Sequence, residues 1–163
     1  MKTILVVLCI LAILQVYGVA AVTFSGPQTR TSTVSTCSSS SMNGGLVLTV
    51  CASKSTYHIN QPATITMTAT NTSPGNLFFY SMSLNILNNG TSVFSASQKC
   101  PSQFSCPVAS GQTLTVTFSW TATQPRGSDT IQGTLVWDVG CRIFGCLVLS
   151  PPPVITQVTV AIK

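Results

Sequence analysis

The sequence contains no glutamate, and its only carboxylate side chains are Asp129 and Asp138. One histidine, His58, and seven basic residues complete the titratable charge of a 163-residue chain. Charge this sparse excludes several chemistries. A paired-carboxylate acid/base site needs two acids that converge, and nothing in the spacing of Asp129 and Asp138 joins them. A calcium loop needs several acids at short intervals. A nucleic-acid groove needs basic residues clustered along a phosphate track, whereas Arg30, Lys54, Lys99, Arg126, Arg142 and Lys163 are scattered singly. A Ser–His–Asp site would have to use His58, but no G-x-S-x-G elbow is present and Tyr57-His58-Ile59 reads as extended chain. One histidine and cysteines outside paired CxxC spacing do not make a zinc set. No glycine-rich phosphate cradle occurs. The expectation is no enzyme, no cofactor, no metal and no nucleic-acid partner.

Long apolar runs are also scarce. One lies at the start: Met1-Lys2-Thr3, then apolar residues from Ile4 to Leu14, then small residues ending in Ala20-Ala21. A short basic start, an apolar stretch and a small-residue exit form the layout of a cleavable secretory signal. The run is shorter than the roughly 20 apolar residues a spanning helix needs. Residues 1–21 therefore read as a signal peptide, residues 22–40 as an extended arm and residues 41–163 as one domain. Loss of Cys9 with the signal leaves Cys37, Cys51, Cys100, Cys106, Cys141 and Cys146. An even set in an exported chain reads as disulfides. Six cysteines allow 15 pairings; the clustering in sequence favours Cys37–Cys51, Cys100–Cys106 and Cys141–Cys146.

A sustained 3.6-residue repeat is absent after residue 21. Alternation replaces it. Ala63, Ile65, Met67 and Ala69 alternate with threonines, and Tyr80, Met82, Leu84 and Ile86 alternate with Ser81, Ser83 and Asn85. Leu114, Val116, Phe118 and Trp120 make a third row, Val158, Val160 and Ile162 a fourth, and Leu46, Leu48 and Val50 a fifth. One apolar and one hydroxyl-rich face describe a half-buried antiparallel strand. Turn clusters punctuate the rows at Ser73-Pro74-Gly75-Asn76, Asn88-Asn89-Gly90, Ser110-Gly111-Gln112, Gln124–Asp129 and Pro151-Pro152-Pro153. Strands at this spacing point to an all-β, two-layer antiparallel sandwich with Greek-key links. Trp120 and Trp137 are expected in its core. Two N-glycosylation sequons, Asn71-Thr72-Ser73 and Asn89-Gly90-Thr91, fall in expected turns where a glycan would be solvated.

The segments Tyr57–Asn71 and Val108–Trp120 together resemble immunoglobulin-like extracellular modules of the BsuPI-inhibitor and adhesion-repeat type. The first reads extended–Pro–alternation–Asn-Thr-Ser; the second reads small–Gly–polar–alternation–Trp. The resemblance implies an immunoglobulin-like sandwich and specifies no activity. The carboxylate-poor, Ser/Thr/Asn-rich style is similar to exported proteins of thermoacidophilic or hyperthermophilic archaea, including surface threads and pili built from one disulfide-bearing sandwich.

Two functions follow as expectations. In the first, the chain is a secreted structural subunit at the cell surface. Its arm, with Val22 and Phe24 alternating before Gly26-Pro27 and a hydroxyl-rich stretch to Val34, adds as a strand to a neighbour. Arm and acceptor are different surfaces, so the contact is head-to-tail and propagates into a homopolymer. Val22, Phe24 and Val34 are the expected interface side chains. In the second, the chain is a secreted binding module such as a proteinase inhibitor. The braced loop Lys99–Cys106 would then meet a protease or another surface partner.

Overall fold

The computed structural model describes residues 35–42, 45–101, 106–123, 125–138 and 151–163. The expected signal peptide, most of the expected arm (with Val22, Phe24 and Val34) and the Cys141–Cys146 pair lie outside these residues. So do residues 102–105 of the Lys99–Cys106 loop.

Ten strands form two sheets, with no helix among the described residues. They are β1 (Thr36–Met42), β2 (Leu46–Ala52), β3 (Thr56–Tyr57), β4 (Pro62–Asn71) and β5 (Leu77–Asn88). The rest are β6 (Thr91–Lys99), β7 (Pro107–Val108), β8 (Thr113–Thr121), β9 (Gly127–Asp138) and β10 (Val154–Ile162). One sheet has the order β1-β2-β4-β8 and is antiparallel throughout. The other has the order β3-β10-β9-β5-β6, with β7 also beside β5. Among the described strands, only the β3–β10 pair is parallel. The protein is a β-sandwich.

The threonine alternation explains the first sheet. Ala63, Ile65, Met67 and Ala69 turn inward from β4 while Thr64, Thr66, Thr68 and Thr70 turn outward. Val116, Phe118 and Trp120 do the same from β8. Met82, Leu84, Ile86, Ile131 and Leu135 cover them from the second sheet. Both tryptophans are buried, and Trp120 meets Tyr57 edge to face at 6.1 Å between ring centroids.

Several residues differ from expectation. The sheet begins at Thr36, so residues 36–40 belong to the sandwich and not to the arm. The reason is pairing: β1 runs in register with β2, and the Cys37–Cys51 bridge joins opposed positions. Asp129 is a fully buried β9 residue and not a turn residue, because the Asn88 amide on the adjacent strand donates to its Oδ1 at 2.6 Å. His58 lies just past β3, exposed, in a turn where its N–H donates to Gln61 Oε1.

Candidate interaction groove

The two lateral edges of the sandwich are built differently. On one side β1 lies over β10, and Thr156 Oγ1 donates to Ser38 Oγ across the sheets at 3.3 Å. On the other side stand β8 and β6, the last strands of their sheets. Neither has a further neighbour among the described residues, so each presents a row of backbone N–H and C=O groups outward.

Between these two edges the core is incompletely covered. Leu114, at the start of β8, is only half-buried, although its β4 partner Ala69 is buried. Phe94 and Ala96, opposite the buried Ile86 and Leu84, are half-buried too. Two cavities lie along this seam. The larger, about 480 Å³, is lined by Phe79, Val108, Leu114, Val116 and Pro107, with Lys99 at its margin. The second, about 390 Å³, sits toward the other end, against Phe94, Trp120, Val93 and Pro62.

The larger cavity has a topological cause. β6 follows β5 as far as Ser81 opposite Lys99. β6 ends at Lys99, and the edge is taken up again at Cys106, whose carbonyl accepts from Phe79 N–H at 3.2 Å. β7 resumes the same edge opposite Leu77 and Phe78. Cys100 and Cys106, on either side of this break in the edge, are within bonding distance. Asn71 anchors the cavity wall. Its amide nitrogen donates to the carbonyls of Gly75 (2.7 Å) and Val108 (2.8 Å), and its Oδ1 accepts from Ser73 N–H and Oγ–H.

That arrangement separates the two sequons. Asn71 is not in a solvated turn: it ends β4, is 0% exposed and uses both amide hydrogens on carbonyls. Asn89 is exposed in the two-residue turn between β5 and β6, with φ 49° at Asn89 and 80° at Gly90. Peptide mapping of native material is expected to find any N-glycan on Asn89 and none on Asn71. A glycan on Asn71 in folded protein would contradict this geometry.

The remaining candidate residues do not converge. Asp129 and Asp138 sit at opposite ends of β9, about 30 Å apart at strand rise. Asp138 Oδ2 accepts from the Tyr80 hydroxyl at 3.1 Å. His58 lies at the β3–β4 turn. Sequence reasoning missed the groove itself, since it arises from which strands lack neighbours.

No protein-family model matches the sequence, and no curated protein matches it at a significant level. One similar solved structure is the Pseudomonas fluorescens alkylpurine DNA glycosylase AlkC bound to DNA containing an abasic site analog. The match has a TM-score of 0.41 and 6% identity, covering 69% of this chain and 28% of that one. The chain thus spans less than a third of that protein's length, and a likeness this low carries no argument about activity.

Proposed function

We propose that this chain is a non-enzymatic, secreted structural protein, the subunit of an extracellular filament assembled by donor-strand addition. The observation that carries the reading is the apolar seam between β6 and β8, two edges without a further neighbour among the described residues, across the sandwich from β1. The chain enters β1 at Thr36, three strand positions from β8. Arm and acceptor are therefore distinct surfaces, and a contact between them joins subunits head to tail. Residues 22–35 span about 46 Å when extended. An edge strand such as β8 is about 30 Å long, so the arm is long enough to lie beside part of it and still link two bodies.

The chemistry of the acceptor supports the same reading. β1, β2, β4 and β8 carry no charged residue, so a strand added beside β8 desolvates no ion. The low overall charge lets identical subunits approach without strong repulsion. An added strand satisfies edge backbone groups and covers Leu114, Phe94 and Ala96. Two further features belong to the reading. Residues 1–21 act as a cleaved signal that delivers the chain to an oxidising exterior, with which the two cysteine pairs are compatible. An immunoglobulin-like Greek key is part of the reading, supported by the chain's crossings between the sheets from β2 to β3, β3 to β4, β4 to β5, β7 to β8 and β8 to β9.

Negative-stain microscopy and sedimentation of the mature chain test the proposal. Fibres are expected from residues 22–163. Removal of residues 22–35 is expected to abolish them while the far-ultraviolet spectrum of the sandwich is retained. Fibres that survive the deletion, or a full mature chain that sediments as single particles at every concentration, would overturn it.

A further inference from the structure

We infer that Phe24 of one subunit is the anchor of the contact, seated in the 480 Å³ cavity at the Lys99 end of its neighbour's seam. The inference rests on the donor-strand reading and names the side chain and cavity within it.

The cavity wants a large apolar group. Phe79, Val108, Leu114, Val116 and Pro107 supply its walls. Its volume lies within the range of about 300–1,000 Å³ typical of ligand sites, ample for one aromatic ring. Phe24 is the only aromatic residue between positions 22 and 35. Aromatic side chains seated in desolvated pockets dominate the energetics of most interfaces.

Strand periodicity supports the match. Val22 and Phe24 are two apart in sequence and would share one face if paired as a strand, and Leu114 and Val116 are successive inward residues of β8. Two donor side chains therefore meet two acceptor positions in step. Gly26 then offers no side chain on that face, and Pro27 offers no N–H. The paired run accordingly centres on residues 22–25, with the remainder of the arm as tether.

Val34 cannot share the role. The two cavities are centred about five residues apart along β8, near Thr115 and Trp120, or about 17 Å. Phe24 and Val34 are ten residues apart, about 33 Å when extended. One straight segment fills one cavity with one of them. The larger, less polar cavity suits the ring, and Lys99, exposed at its rim, leaves the floor apolar.

The test uses the full mature chain. Phe24→Ala is expected to raise the concentration needed for fibre growth about a hundredfold, the factor expected when one large apolar side chain is lost from a buried site. Phe24→Leu should restore most of it, and Val34→Ala should shift it less than threefold. A benzophenone photocrosslinker replacing Phe24 should join the Leu114–Val116 peptide of another subunit. Wild-type assembly that needs the arm but tolerates Phe24→Ala, or crosslinks that map to Phe94 and Trp120, would overturn the anchor while sparing the donor arm. Failure of the wild-type chain to assemble would overturn both. Displacement of the crosslink by an added small apolar compound without loss of fibres would assign the cavity to a ligand and also overturn the anchor.

Discussion

Replacing Asn71 with alanine is expected to cost about 3–5 kcal/mol of stability, lowering the melting temperature by on the order of 10–15 °C. The side chain is fully buried and makes four hydrogen bonds: two donated to Gly75 O and Val108 O, two accepted from Ser73. Alanine removes all four. It strands the buried Val108 carbonyl and the Ser73 N–H, each such group costing roughly 1–3 kcal/mol, while the exposed Gly75 carbonyl keeps its bond from Ser73 Oγ. The backbone of Asn71 is also committed: its N–H donates to Gln112 O and its C=O accepts from Gly111 N–H. Those two bonds fix the turn ahead of β8 and survive the substitution. Three segments then lose their common tie: the end of β4, the Ser73–Gly75 turn and β7.

Asn71→Asp separates hydrogen bonding from packing. Aspartate keeps the shape and can still accept from Ser73, but an oxygen would replace the nitrogen facing two carbonyl oxygens. The loss at neutral pH should equal or exceed that of alanine. An aspartate variant that melts with the wild type would show that the two donated bonds contribute little. Because Val108 lines the larger cavity, the same variants should weaken assembly more than their stability loss alone predicts.

Much of the sandwich was legible because threonine alternates with apolar residues so regularly. β4, β8, the middle of β5 and the end of β10 can be read directly from Ala63–Thr70, Leu114–Trp120, Tyr80–Ile86 and Val158–Ile162. β1 was hidden, since Thr36-Cys37-Ser38-Ser39-Ser40-Ser41 offers no apolar face; it is a strand because β2 pairs with it and a disulfide pins the register. β6 was hidden for another reason. A register shift between Ile86 and Leu87 leaves Val93 and Phe94 adjacent, which breaks period two. Asn71 and Asp129 look like turn residues in sequence, since a polar side chain's burial depends on partners far along the chain: Val108 for one, Asn88 for the other.

The groove was least legible of all. Its lining residues, among them Val108, Leu114 and Val116, read as ordinary core positions. What makes them a candidate site is the position of β6 and β8 at the same lateral edge with no further strand beyond them among the described residues, and strand order in a sandwich is a non-local property. Residues 22–34 of the expected arm lie outside the described residues, and their sequence carries no mark of where they go.

Substitution at Gly133 probes the same architecture from its centre. Gly133 sits in the middle of β9, paired with Leu84 and Thr156 on either side. A Cβ at this position would collide with Val50 Cγ2 and approach Met67 Cε at 2.8 Å. The glycine is thus the place where side chains of the four-stranded sheet reach the backbone of the other. Gly133→Ala is expected to cost about 1–3 kcal/mol and Gly133→Val about 3 kcal/mol or more, since overpacking forces side chains off their rotamers or the sheets apart. Met67 is flexible enough to give way, so the branched Val50 sets most of the cost. Val50→Ala should therefore rescue Gly133→Ala: the new methyl fills space that the lost ones vacate. Chemical denaturation of the double variant should show it about 1–2 kcal/mol more stable than the summed single losses predict. Strict additivity would mean that the strain is relieved by separation of the sheets. The seam between β6 and β8 would then widen, and filament growth should fall in the single variant even where its fold survives.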